Sequence, residues 1–359
     1  MANKILKIML SGGGTGGPVT PLLAIAREFY LKYPESVFTF VGTHKGPEKL
    51  LVEEASKNLP VKFITMLSGK WRRYWSFKNF TDLFNIGGAF FQSIYLIKKE
   101  KPDLVMSVGA FVSVPLVWAA KFLSVPVLIH QQDLRPGLAN RLMAGAADII
   151  TVTFPNSLEV YGKKAVLTGN PYSLPTLSSK AEVFREYNLN LNRPLILIFG
   201  GGTGSISVNE AVIKNLDDLL AVTQVIHISG EGKLISESRP GYFATEFLSY
   251  TKLLSVMLAC DLVVARPGLG TLTDLSALKK ASILVPMPNS HQEDNAKICA
   301  EVGAAVYIEQ KDLNDKLVRV VSDLLGSVSR REDLEKNMSS IIKPGAADTI
   351  VDLSRTLIK

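Results

Sequence analysis

The chain has 359 residues, 47% of them hydrophobic, enough for two cores, and this length predicts two domains rather than one. Its net charge of +7 favours an anionic partner (nucleotide, phospholipid surface or nucleic acid), with a solvated basic face as the plainer reading. Two cysteines in apolar runs, Cys260 and Cys299, exclude a disulfide framework, the opening apolar run is too short for a signal peptide, and Gly109 and Pro115 break the one long uncharged stretch, which excludes a membrane span and points to a cytoplasmic protein.

In chain order, KILKIML reads as a strand, SGGGTGGPVTP as a glycine loop, and Leu22, Ala24, Ile25 and Phe29 mark a helix. Gly12-x-Gly14-x-x-Gly17 formally matches a dinucleotide fingerprint. That fingerprint also needs an acidic residue about 20 residues on, at the end of the next strand, to hold a ribose. The next strand, VFTFVGT, ends in Gly42, Thr43 and His44 without a carboxylate, so the dehydrogenase reading falls and a phosphate-cradling loop remains.

Residues 69–99 form the aromatic centre of the chain. Phe77, Phe80, Phe84 and Phe91 lie near one helical face behind Trp71, Arg72, Arg73, Tyr74 and Trp75. Tryptophan beside arginine suits a membrane–water interface; the alternative is a core helix with an exposed basic loop. Strands follow in PDLVMS, VPVLIH and ADIITVTF. His130 ends its strand at the sheet's carboxyl edge, where α/β folds place ligands, although a lone histidine is more often structural. Residues 165–175, rich in Gly, Asn and Pro, read as a domain linker.

The second half restarts: PLILIFGGGTGSISVNEAV repeats the opening pattern of apolar strand, GGGTG loop and helix. The repeat predicts an α/β protein of two Rossmann-like domains with ligands in a cleft between them. Asp261–Ala296 carries the densest chemistry: strand DLVVA, turn ARPGLG, helix TLTDLSALKK, strand SILVP and a polar loop. Free N–H groups at a helix start attract an anion, Asp274 can accept from a ribose diol, and His291, Gln292 and Asn295 offer groups that grip a sugar. The same strand–glycine–helix turn occurs in many α/β proteins that bind nothing there.

The chain resembles the MurG family, the peptidoglycan N-acetylglucosaminyltransferases of GT-B fold. The resemblance rests on Gly13–Gly17, the GAFVSVP loop at 109–115, His130 with Gln132, Pro136–Asn140 and Thr168–Pro171, and in the second half on the loop at 200–204, Asn209, His227 with Ser229 and Gly230, Arg266-x-Gly268 and His291-Gln292-x-x-Asn295-Ala296. It implies an N-terminal acceptor and membrane-associating domain over 1–168, a UDP-sugar domain over 169–345 and a C-terminal helix over 346–359 packing back on the first domain. The implied reaction is inverting, metal-independent and cofactor-free transfer of N-acetylglucosamine from UDP-N-acetylglucosamine to lipid I, making lipid II. The implied setting is the cytoplasmic face of the membrane, with a polyprenyl-pyrophosphate-linked acceptor, an anionic membrane surface and no nucleic acid as partners.

Carried over by position, the resemblance puts Asp274 on the ribose, Gln292 on the sugar, and Leu269, Gly270, Thr271, Leu272 and Thr273 at the phosphates. Leu248 faces the uracil through its backbone, and Thr15, Gly16 and Gly17 cradle phosphate or sugar in the first domain. Asn140, Ser173, Gly202 and Asn295 complete the substrate contacts, and Trp71, Arg72, Arg73, Trp75, Phe80 and Phe84 face the membrane. Departures gather on the acceptor side: Pro18 replaces a usual His, Gln131 a Glu, Asp133 an Asn, Phe111 a Tyr and Ser173 an Arg. In the second half Asp274 replaces a Glu and Gly202 a Ser. Pro18 cannot take a proton, which leaves Asp133 and His130 as candidate bases. Two other readings keep the fold: transfer to a different acceptor, and a UDP-sugar-binding protein without turnover.

Overall fold

The structure, a computed structural model, describes residues 5–13, 17–44, 46, 48–67, 77–202 and 204–358, with the backbone alone for 77–86. It divides into two compact units, one of residues 1–173 and 343–359, the other of 174–342. The first holds seven parallel strands: β1 (Lys7–Ser11), β2 (Val37–Gly42), β3 (Val61–Thr65), β4 (Leu104–Ser107), β5 (Val127–Gln131), β6 (Ile149–Val152) and β7 (Ala165–Leu167), ordered 3-2-1-4-5-6-7. The second holds six: β8 (Leu195–Phe199), β9 (Gln224–Ile228), β10 (Tyr242–Thr245), β11 (Leu262–Ala265), β12 (Ser282–Leu284) and β13 (Val306–Tyr307), ordered 10-9-8-11-12-13. Both are Rossmann-like, as the internal repeat predicts. LILIF and LVVA are buried at every position because helices cover both faces of a parallel sheet.

Each sheet has a hydrophobic cluster on either face. One cluster of the first unit draws Ile350, Val351 and Ile358 from the end of the chain. The helix Ala346–Leu357 lies along the helix Val19–Lys32, where Lys32 pairs with Asp348 and Asp352 and Arg355 stacks over Tyr33 at 5.2 Å. The stretch read as a linker contains β7, an edge strand so short and half-buried that three residues of AVL ahead of Gly and Pro gave no strand signal.

In each unit the strand order reverses beside the first strand, between β1 and β4 and between β8 and β11. The loops at the carboxyl ends of those pairs are where such sheets bind ligands.

Gly169 follows β7 with φ +87°, and a Cβ there would run into the backbone carbonyl of Lys343, where the returning chain crosses. Neither the left-handed backbone nor the carbonyl yields cheaply. Gly169→Ala is expected to destabilise the first unit by about 2 kcal/mol or more, read as a lower denaturant midpoint with unchanged slope.

Candidate functional site

In the second unit, the switch point is walled by two turns. After β8, a Cβ on Gly200 would strike Ser205, and one on Gly204 (φ +71°) would strike the Ser229 carbonyl, so close approach dictates both glycines. Gly202 between them is exposed with open space around it. Ser205 caps the helix Ile206–Lys214 by accepting from Val208 N. After β11 comes Arg266, buried at 7% exposure. Its guanidinium donates to Ser205 Oγ at 2.7 Å, Ser207 Oγ at 3.1 Å, Val285 O at 3.0 Å and Gln310 Oε1. All four acceptors are neutral, so the charge is solvated by dipoles and its field stays at the switch point.

The helix Leu269–Leu278 starts beside it from Gly268, an extended residue with no side-chain cap. Leu272 N already bonds Gly268 O, so the orphan N–H groups are those of Leu269, Gly270 and Thr271. A Cβ on Gly268 or Gly270 would meet nothing within 4 Å, so this end lies open to a ligand. The five residues expected at phosphates thus reduce to three. Leu272 belongs to the core, and the Thr273 hydroxyl donates back to Leu269 O at 2.8 Å.

Asp274, one turn in, is 8% exposed and accepts at Oδ1 from the Tyr250 hydroxyl at 2.8 Å. Burial pushes its carboxyl up to about 7, against a smaller lowering by the tyrosine bond. Gln292 accepts from Met287 N at 3.0 Å and shapes the 287–292 loop, with its amide half-buried. Buried Asn295 donates to Pro267 O at 3.0 Å, holding the Arg266–Gly268 turn, and Leu248 is half-buried just before Tyr250. Behind the wall, His227 bonds Asn209 at 3.1 Å and Tyr242 at 2.9 Å, and burial lowers it to about 4. Both cysteines are buried free thiols, pushed up by burial to about 11 at Cys260 and about 12 at Cys299.

In the first unit the corresponding loops follow β1 and β4. Thr15 and Gly16 lie outside the described residues, and Gly17 is exposed. Glu48, the buried first residue of the helix Glu48–Ala55, turns its carboxylate back to accept from Thr43 N at 2.7 Å and from the Thr43 hydroxyl. It also sits where a Cβ on Gly13 or Gly46 would be. A carboxylate does therefore reach the end of β2, supplied by the next helix, and the expectation of none there is corrected. It is engaged with Thr43 and lies close against Gly13 and Gly46. Across the switch point Ala110 adopts φ +75°, and Ser113 Oγ bonds Gly109 O at 2.7 Å and Ser11 Oγ at 2.9 Å.

His130 is fully buried, with Nδ1 on Thr151 at 3.0 Å and Nε2 shared between Asn170 and Thr153 at 3.3 Å. Burial, partly offset by the Asn170 bond, lowers it to about 4. With both nitrogens engaged and no surface, it lacks the reach of a base, which corrects that expectation. Gln131 accepts from Asn140 at 2.7 Å and donates to Asp133 O at 2.7 Å, so it fixes the loop after β5. Asn140 is buried, and its Oδ1 has no partner. Asp133 is exposed and Ser173 half-buried. Trp71, Arg72, Arg73 and Trp75, and the side chains of Phe80 and Phe84, lie outside the described residues. Among the described residues, no helix is long and apolar enough to cross a membrane, and no three His, Cys, Asp or Glu residues form a metal-binding group.

The Glycosyltransferase family 28 N-terminal domain matches residues 8–152 and the Glycosyltransferase family 28 C-terminal domain matches residues 195–352. The UDP-N-acetylglucosamine–N-acetylmuramyl-(pentapeptide) pyrophosphoryl-undecaprenol N-acetylglucosamine transferase of Clostridium botulinum (strain Hall) is 36% identical over 355 residues, covering 94% of this chain and 98% of that protein. The protein of the same description from Lachnospira eligens is 36% identical over 97% of this chain and 98% of its own. Among solved structures, Acinetobacter baumannii MurG superposes with a TM-score of 0.74 at 25% identity, covering 98% of this chain and 99% of that one, and the fold, with its two Rossmann-like domains, is GT-B.

The buried carboxyl of Asp274 gives the site a pH signature. In the folded protein burial holds it at about 7, well above the ordinary value of 3.8. Between those values the folded state binds more protons than the unfolded state, so stability falls as pH rises from about 4 to about 7 and levels off above. Asp274→Asn is expected to remove that slope, gaining up to a few kcal/mol on wild type at pH 8 and little at pH 4 in parallel denaturant titrations.

Proposed function

This chain belongs to glycosyltransferase family 28 and within it to the MurG family, and from that premise we propose how it transfers N-acetylglucosamine from UDP-N-acetylglucosamine to a polyprenyl-pyrophosphate-linked muramoyl-peptide. The enzyme is a metal-independent, inverting hexosyltransferase, and its product is lipid II. The observation that carries the reading is the open helix start at Leu269–Thr271 beside the unpaired charge of Arg266, with the Asp274 carboxylate one turn in. The N–H groups take the donor diphosphate, Asp274 takes the ribose and Gln292 the sugar. In the reaction an acceptor hydroxyl forms the new bond to the anomeric carbon from the face opposite the leaving group. The bond from that carbon to the diphosphate oxygen breaks, and its electron pair leaves with UDP. The N–H groups and the Arg266 field meet the charge that develops there.

The attacking hydroxyl must lose its proton. Pro18 has none to exchange and His130 is sealed, so we assign the base to Asp133, an exposed carboxylate on the loop after β5. An acceptor that displaces water from around a carboxylate strengthens its hold on a proton, which is what a base needs.

An acceptor on a polyprenyl chain puts the enzyme at the cytoplasmic face of the cell membrane as a peripheral protein. The first unit offers a surface for it. Phe91 and Tyr95 on the helix Phe77–Glu100, Trp118 and Phe122 on Ser113–Phe122, and Leu142 on Leu138–Ala144 are all exposed. Phe90 meets Phe122 edge-on at 6.4 Å and Trp118 donates to Leu142 O at 3.0 Å, so the three helices present one apolar face. Lys98, Lys99, Lys121 and Arg141 lie on the same helices, a pattern suited to an anionic bilayer surface.

Incubation with UDP-N-acetylglucosamine and lipid I is expected to yield lipid II and free UDP. UDP release without lipid II would mean another acceptor, and tight UDP binding without turnover a binding protein. In that assay Asp133→Asn is expected to slow transfer by about 10²–10⁴-fold, and a loss under about tenfold removes Asp133 as base. In vesicle co-sedimentation, Trp118→Ala with Phe122→Ala is expected to weaken binding to anionic vesicles roughly tenfold, with salt weakening the wild type too. Equal, negligible binding of wild type to neutral and anionic vesicles would discard the membrane face.

A further inference from the structure

Tyr250 is the first residue of the helix Tyr250–Ala259 and packs that helix against the one carrying Asp274. Its residue is 46% exposed, yet its hydroxyl ends on Oδ1 of a carboxylate that is 8% exposed. Among the described residues this is the one hydrogen bond Asp274 makes, and no Lys, Arg or His pairs with it. Oδ2 has no partner, and it is not sealed away from solvent. Burial, and then the charge of Asp274, push the Tyr250 phenol up, so the hydroxyl keeps its proton and stays a donor across the working pH range.

We propose that Tyr250 is a positioning residue of the nucleoside subsite, setting the Asp274 rotamer so that Oδ2 and the phenol oxygen together accept the two ribose hydroxyls. This rests on the donor-site reading given above. A phenol spends its proton on Oδ1 and keeps its lone pairs, so the pair presents acceptors on two neighbouring oxygens. A vicinal diol brings two donors at matching spacing. An unpartnered Asp274 has neither the fixed orientation nor the second acceptor. A buried acceptor that loses its fixed donor also favours the protonated form, which is a poorer acceptor for a hydroxyl.

The test is calorimetric titration of wild type, Tyr250→Phe and Asp274→Ala with UDP and with 2′,3′-dideoxy-UDP. Tyr250→Phe keeps the ring and removes only the hydroxyl. It is expected to weaken UDP about fivefold to tenfold and leave the weaker dideoxy-UDP unchanged, so discrimination between the two nucleotides shrinks. An equal loss for both nucleotides would make Tyr250 mere support for the fold and overturn the proposal. UDP affinity unchanged in Tyr250→Phe but lost in Asp274→Ala would also overturn it, while the donor-site reading survived. Were neither variant to alter UDP binding, and wild type to hold both nucleotides equally, the ribose assignment would fail along with the role of Tyr250.

Discussion

The second unit is arranged around a buried positive charge that no carboxylate neutralises. Arg266 leaves the end of β11 and ties together the cap of the helix after β8, the end of β12 and Gln310 through four neutral oxygens. A carboxylate partner would have closed the field within the protein. Dipoles satisfy the guanidinium's donors and leave its charge to act outward at the switch point, beside the unpaired N–H groups of the next helix. The same bonds hold the two glycine turns in register. Gly200 and Gly204 admit no side chain because Ser205 and Ser229 are drawn in so closely. Electrostatics and packing here are one constraint seen twice.

The two units solve a second problem alike. Each places a histidine near the end of a central strand, His130 in β5 and His227 in β9, and encloses it completely. Nε2 of each donates to the Oδ1 of an asparagine, which fixes the tautomer and leaves Nδ1 to accept, from Thr151 or from Tyr242. Low basicity is what such a buried link requires, since a charged imidazole would lack a counter-ion. These histidines act from the interior, each linking its strand to the asparagine of a neighbouring segment.

Much of the fold could be read in the sequence because its signals are local. The apolar strands, GGGTG loops and helix periodicity each fit within about twenty residues, and two copies expose the repeat. The strand–glycine–helix order around Asp274 followed from the same short-range pattern, although TLTDLSALKK starts the helix at Thr271 and the structure starts it at Leu269, inside the expected turn. What escaped depends on distant or reversed contacts. Glu48 was passed over because a carboxylate was sought at the end of β2, whereas it comes from the following helix and points backwards. Tyr250 has no motif of its own; only the packing of two helices brings its hydroxyl to Asp274. His130 looked available because a strand's end says which edge a residue occupies and nothing of what covers it. Leu272 and Thr273 fell in the expected phosphate stretch by position, but a helix turns its fourth and fifth residues away from its mouth.

The path of the chain has a consequence for how the molecule comes into being. The polypeptide leaves its first unit at residue 173 and returns at 343, past Gly169, to lay Ile350, Val351 and Ile358 into the first core. Residues 174–342 are continuous, so that unit can complete its core while synthesis is still under way. The first unit, though most of it is translated earlier, waits for Ile350, Val351 and Ile358 to complete its core. In that interval the first core is short of one side, so the unit begun first is the one whose core closes last.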